Sequence, residues 1–192
     1  MYPQEVEKLI RLFSRFPTVG PRTATRFVFY LLQSKKERED IIEAIKSLDN
    51  IRMCKYCYRS GEEACSICKD KRRDSSTVCV VENETDLVSI EKTKEYNGLY
   101  FILGGTVSPL RKKDFKNVRG KELRERVNKD GIKEVILATN QNTEGEATAL
   151  YIERALKDTS AKISRLGRGL PTGGELEYAD EETLKSALQK RG

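Results

Sequence analysis

Residues 135–146 read Val135-Ile136-Leu137-Ala138-Thr139-Asn140-Gln141-Asn142-Thr143-Glu144-Gly145-Glu146. An apolar, strand-forming run passes into a short polar cluster and then into a helix-forming stretch. Outward from there, short β-rich runs recur at Val78–Val81, Leu99–Leu103 and Lys162–Leu166, with helical stretches between them. Strands alternating with helices predict a mostly parallel α/β sheet, whose ligands gather at the carboxyl ends of the strands. Glu82 and Asn140 fall at two such ends.

The string Asn140-x-Asn142-x-Glu144-Gly145-Glu146 resembles the Asp-x-Asp-x-Glu-Gly-Glu strand end of Toprim domains, the metal-binding fold of topoisomerases and primases. In that fold the carboxylates hold Mg²⁺ next to a phosphate. Here both aspartate positions are amides, and hard Mg²⁺ is held by carboxylates, phosphate and water. The resemblance therefore implies a degraded Toprim site at Glu82, Asn140 and Asn142, with Glu144 and Glu146 keeping their charge. The expectation is DNA handling without chemistry.

The 192 residues allow one or two compact domains with true cores, and the composition, 34% charged and 7% aromatic, is that of a folded soluble chain. No apolar run approaches the roughly 20 residues that span a bilayer, and Met1-Tyr-Pro-Gln-Glu-Val-Glu7 lacks the basic and apolar regions of a signal peptide. A cytoplasmic protein with no membrane partner is expected. Histidine is absent, which excludes Ser-His and Cys-His nucleophile pairs, an imidazole base and His-containing zinc sites. The net charge of +6 is uneven: residues 1–50 carry +2, residues 51–80 carry +3, and residues 81–192 only +1. A basic end on a near-neutral body marks where a polyanion would dock.

Near the N-terminus, Val6, Leu9, Ile10 and Phe13 make one apolar face of a helix over 3–16, with Pro3 in its first turn and Pro17 ending it. A second helix follows Gly20-Pro21, with Ala24, Phe27, Val28, Leu31 and Leu32 on its apolar side. A third, over 37–49, uses Ile41, Ile42, Ile45 and Leu48. The stretch Phe16–Phe27 resembles a helix-hairpin-helix, a DNA-binding motif of no sequence preference. The start of its second helix offers free N–H groups to a phosphate, and Arg22 and Arg26 share one face beside them. Thr18 stands where that motif has glycine.

Cys54-x2-Cys57-x7-Cys65-x2-Cys68 is a pair of CxxC knuckles on a short loop. Four thiolates complete a closed tetrahedral shell, so one structural Zn²⁺ per chain is expected, with no open position for catalysis. Paired disulfides are disfavoured in a cytosolic chain, and two matched knuckles argue against redox CxxC chemistry. Lys55, Arg59 and Lys69 lie close enough in sequence to offset the cluster's charge. The fifth cysteine, Cys79, is expected in a buried strand.

The chain as a whole resembles the RecR family of bacterial recombination mediators. The resemblance rests on the module order and on Gly20-Pro21-Arg22, Leu103-Gly-Gly105, Ser108-Pro109-Leu110, Ala138-Thr-Asn140, Thr143–Ala149 and Gly169–Asp180. It implies an α+β multi-module fold. The expected divisions are a helix-hairpin-helix region at 1–53 and a four-cysteine zinc finger (54–68) with linker at 54–76. A Toprim α/β domain follows at 77–171, then a C-terminal oligomerisation segment at 172–192, extended and then helical. The same resemblance implies a non-enzymatic role with RecO and RecF in loading RecA onto single-stranded DNA. Assembly would be a homodimer or a ring-like homotetramer, and both single- and double-stranded DNA would bind. It puts Arg22 and Arg26 on DNA and the acidic surface around Glu144 and Glu146 on RecO.

Residues 111–121 form a basic loop in which Lys112 and Lys113 are candidates for a second DNA contact. The competing readings are a Toprim-type metal-dependent nuclease or topoisomerase-like enzyme, with Glu82 as acid/base, and a zinc-ribbon adaptor that never touches DNA. The Gly-rich stretch at 167–174 lacks the Gly-Lys-[Ser/Thr] of a phosphate-binding loop, so ATP hydrolysis is not expected.

Overall fold

The computed structural model describes residues 2–108, 117–167, 169–170 and 172–189. The chain divides into two compact units, Met1–Ile51 and Arg52–Gly192.

The first unit holds three helices, α1 (Gln4–Phe13), α2 (Pro21–Gln33) and α3 (Lys35–Ser47). Pro3 stands one place before α1 and not inside it, its carbonyl accepting from the Glu7 N–H at 3.0 Å. The helix stops at Phe13, three residues short of the expected end, because Ser14 turns its hydroxyl back onto the Ile10 carbonyl at 2.8 Å. A tight turn follows, closed by Val19 N–H donating to Phe16 O at 3.1 Å. Thr18 takes φ +64°, the left-handed region that a β-branched residue rarely enters. The turn keeps its shape without the glycine, at the cost of local strain.

Ala24, Val28 and Leu31 form the buried stripe of α2, at spacings of four and three. Phe27 and Leu32, expected on that face, are exposed, although Phe27 meets the Phe13 ring edge-on at 6.1 Å. The expected apolar face of α3 is likewise open to solvent: Ile41, Ile42, Ile45 and Leu48 are all exposed. A three-helix unit of this size has too little interior to cover three apolar faces.

The second unit begins with a small antiparallel hairpin, β1 (Arg52–Met53) and β2 (Ser60–Gly61), and a single helical turn, α4 (Ser66–Lys69). These occupy the stretch whose sequence lacks apolar periodicity. The main sheet has β3 (Asp74–Val81), β4 (Gly98–Ile102), β5 (Glu134–Ala138) and β6 (Lys162–Arg165) in the order β4-β3-β5-β6, all parallel. The crossovers carry α5 (Glu84–Thr93), α6 (Gly120–Asp130) and α7 (Thr143–Ala155). On one face, Val78, Val80, Phe101, Val135 and Leu137 pack against Leu123 and Val127 of α6 and Ala149 and Ile152 of α7. On the other, Cys79, Val81, Tyr100 and Ile102 pack against Leu87 of α5 and the finger cysteines. Cys79 is buried as expected, and its burial pushes the thiol up to about 12.

The tail is irregular apart from a 3-10 turn at Leu176–Tyr178. Helix α8 (Glu181–Gln189) follows Asp180, whose carboxylate accepts from the Thr183 N–H at 2.8 Å.

The strain at Thr18 has a measurable consequence. Replacing Thr18 with Gly removes the Cβ clash of the left-handed conformation and should stabilise the hairpin by about 1 kcal/mol. Thr18→Ala, which keeps the Cβ, should give no such gain. Urea denaturation followed at the N-terminal helices checks both; equal stability for Gly and Ala would remove the strain account.

Candidate functional site

The parallel sheet delivers two residues to neighbouring strand ends: Glu82 just after β3 and Asn140 just after β5. Glu82 is only 2% exposed. Its carboxylate accepts from the Asn140 backbone N–H at 2.8 Å and also from the Asn140 side-chain amide. The amide therefore presents its nitrogen, not its carbonyl oxygen, to the carboxylate. Asn142 Oδ1 accepts from Gly145 N–H at 2.8 Å and caps α7. Gly145 is required where it stands, since a Cβ there would run into the backbone carbonyl of Asn140. Both amides are thus engaged inside the chain. A divalent ion at this point would meet one carboxylate already supplied with two donors.

The two glutamates that follow differ. Glu144 is exposed, and its backbone carbonyl accepts from Thr148 Oγ1 at 2.6 Å. Glu146 is half-buried and pairs with Arg165 Nη1 at 2.7 Å, while the same guanidinium meets Glu153 at 2.9 Å. Arg165 arrives from β6, so nothing in the local sequence separates Glu144 from Glu146.

The four finger cysteines converge, with all four sulfurs within 4.8 Å of one another. A tetrahedral ion with bonds of about 2.3 Å to sulfur sets its ligands roughly 3.8 Å apart, so the cluster fits a metal ion with little adjustment. Burial opposes ionisation of Cys54, yet N–H groups of Cys65, Cys57 and Tyr56 outweigh it and pull this thiol down to about 6. Cys57 is pushed far up by its hydrogen bond with Cys68 and by burial. Thiolates set this close repel one another, and a cation among them would offset that repulsion, as at a thiolate metal site. Of the basic neighbours expected to offset the cluster's charge, Lys69 feels the charge of Cys65 and Cys54, and all three also have carboxylate partners. Lys55 pairs with Glu63 at 3.4 Å, Lys69 with Glu62 at 2.7 Å and Arg59 with Glu84 at 3.2 Å. The Cys54 sulfur is met by the Cys65 N–H at 3.4 Å.

On the hairpin, Arg22 and Arg26 are both exposed at the start of α2, which has no acidic residue in its first turn. Among the described residues neither meets a carboxylate. Lys112 and Lys113 lie outside the described residues. The last part of the expected basic loop is structural: Arg119 stands just before α6, stacks over the Tyr58 ring at 4.5 Å and donates to Ile102 O at 3.1 Å. Sequence reading also passed over Arg126, one of whose three partners, Tyr56, lies 70 positions away. Only the pattern of α6, which turns Leu123, Arg126 and Val127 to the same interior, hints at it.

The pair at the strand ends yields a prediction. Asn140→Asp would set a second carboxylate against buried Glu82 and remove a donor, destabilising the chain by roughly 1–3 kcal/mol. Millimolar Mg²⁺ should recover most of that loss in the variant and leave the parent unmoved, as read by thermal unfolding with and without the ion. A parent that gains as much from Mg²⁺ as the variant would contradict the amide's role.

Three family models match the chain: "RecR, helix-hairpin-helix" over residues 6–48, "Toprim domain" over 76–167 and "RecR, C-terminal" over 169–191. Among curated relatives, the recombination protein RecR of Rubrobacter xylanophilus is 46% identical over 193 residues, covering 99% of this chain and 97% of the relative. With similarity of that extent, the chain belongs to the RecR family of recombination proteins.

Proposed function

We propose that this chain is a non-enzymatic recombination mediator in DNA repair: a zinc-stabilised DNA-binding clamp that acts with RecO and RecF to load RecA onto single-stranded DNA. The observation that carries the reading is the state of Arg22 and Arg26. Lys55, Arg59, Lys69 and Arg165 are paired with carboxylates. These two stand exposed and uncommitted among the described residues, one helical turn apart beside Gly20. Two guanidinium groups and the free N–H groups of a helix start suit successive phosphates. They read no base, so single- and double-stranded DNA are both partners.

The strand ends oppose turnover. Asn140 is bonded to Glu82 and Asn142 caps α7, so the carboxylate set that a Toprim enzyme needs for Mg²⁺ is incomplete. Zinc is the ion of choice for four thiolates in a closed shell, where it braces the fold. The reduced cysteines suit a cytoplasmic location. Self-association, as a homodimer or ring-like homotetramer, is supported by apolar side chains left open on α3 and in the tail, Tyr178 being 80% exposed. Glu144 is the first choice for RecO contact, with Glu146 already sharing Arg165. The division into 1–53, 54–76, 77–171 and 172–192 belongs to the same proposal, as does a second DNA contact at Lys112 and Lys113.

DNA binding measured against salt tests the core of this reading. Replacing Arg22 and Arg26 with Ala should flatten the log–log salt slope by about 2. An unchanged slope would move the DNA surface elsewhere. Elemental analysis should find one zinc per chain, and Glu144→Lys should weaken RecO binding more than Glu146→Lys does. Supercoiled DNA with Mg²⁺ or Mn²⁺ should stay intact; nicking that Glu82→Gln abolishes would replace the mediator with an enzyme.

A further inference from the structure

Strand β4 lies at one edge of the main sheet, and alternate residues on it, Gly98, Tyr100 and Ile102, turn their backbone groups away from β3. Each of the three outward carbonyls accepts from an arginine. Arg73 Nη1 meets Gly98 O at 3.1 Å, Arg126 Nη1 meets Tyr100 O at 2.7 Å, and Arg119 Nη1 meets Ile102 O at 3.1 Å. The Ile102 N–H on the same edge donates to Cys57 O at 3.0 Å. No arginine meets a backbone carbonyl of β6, the opposite edge, among the described residues. An open strand edge invites pairing with another chain, and covering it is a standard defence.

What distinguishes this edge is that the cysteine loop is part of the cover. Arg126 is almost fully buried, and one of its nitrogens donates to two carbonyls: Tyr100 O on β4 and Tyr56 O at 2.8 Å inside the first CxxC knuckle. Asp130, one turn on, holds the guanidinium through Nε at 3.3 Å. The next two knuckle residues add to the joint, Cys57 through Ile102 and Tyr58 through an edge-on contact with Phe101 at 5.4 Å. A buried guanidinium facing two carbonyls tolerates little displacement of either, because a lost partner leaves a charged donor unmatched.

We propose that Arg126 is a positioning residue of the metal centre, clamping the Cys54–Cys57 knuckle to β4 so that metal occupancy and closure of this sheet edge are a single equilibrium. The proposal rests on the cysteine cluster being a metal site, and the test separates the two. Full-length zinc-loaded protein is stripped with a chelator while hydrogen exchange is followed. Exchange should rise at least tenfold across 98–103 and at the start of α6 and stay level in β6. A chain that releases zinc and keeps β4 protected fails the coupling alone; a chain that neither holds nor takes up zinc fails the metal reading with it.

The residue is tested by transfer of zinc to a chromophoric chelator and by the visible spectrum of the Co²⁺-loaded chain. Arg126→Met should speed transfer roughly tenfold, the equivalent of one lost charge-assisted hydrogen bond, and shift the Co²⁺ bands. Arg126→Lys should recover part of both. Arg124→Met, on the same helix but paired outward with Asp158 at 3.7 Å, should behave like the parent. Equal acceleration in Arg124→Met and Arg126→Met, or unaltered Co²⁺ bands in Arg126→Met, would overturn the assignment.

Discussion

A carboxylate buried at the end of a parallel strand has to be matched, and how Glu82 is matched decides what this sheet can do. Left alone, such a group would take a proton or draw in water. In a metal enzyme the match is a divalent cation shared with neighbouring carboxylates. Here it is Asn140, through its backbone N–H and its side-chain amide. The substitution is more than the loss of a ligand. An aspartate at 140 would repel Glu82 and so require an ion, whereas an asparagine satisfies it and ties the ends of β3 and β5 together. Asn142 and Gly145 then fix the approach of α7, one by capping it and the other by leaving room. The glutamate that follows, Glu144, is exposed in the first turn of α7.

Much of this was legible in the sequence, for physical reasons that differ from one element to the next. The Cys54–Cys68 spacing announces a four-thiolate cluster because each CxxC knuckle can offer only two sulfurs to one ion. Strands β3 to β6 show through their apolar runs, and α2 through Gly20-Pro21. What stayed hidden depends on groups that meet only after folding. Glu144 and Glu146 look alike until Arg165 crosses from β6 to engage one of them. Arg119 reads as part of a basic loop until its guanidinium is seen on Tyr58 and Ile102. Lys55, Arg59 and Lys69 read as counter-charges to the thiolates, but each is shared with a carboxylate that the fold brings within reach. Thr18 was visible as a departure from glycine, though not that the turn would persist by forcing a threonine into the left-handed region.

The apolar pattern of α3 marks another boundary. Periodicity shows which face of a helix is apolar, not what covers it. Ile42, Ile45 and Leu48 are each more than half exposed, and a unit of about fifty residues has little interior left to offer them. The same pattern that predicts a core face in a large domain thus predicts an interface in a small one. Size, not pattern, distinguishes the two.

The cysteine finger and the sheet are best regarded as one body. Spacing alone suggests an independent module threaded between hairpin and α/β domain, since a metal-held loop can fold by itself. The hydrogen bonds argue otherwise: Tyr56, Cys57 and Tyr58 all close onto β4, and the sulfurs join the same apolar cluster as Cys79, Val81 and Tyr100. An α/β sheet needs cover on both faces and some remedy for its edges. In this chain α5 is short, and the finger supplies what remains of one face together with the protection of one edge. A metal held by the cluster would therefore act beyond its own loop, because the Tyr56 and Cys57 carbonyls that accept from Arg126 and from the Ile102 N–H belong to the first cysteine knuckle.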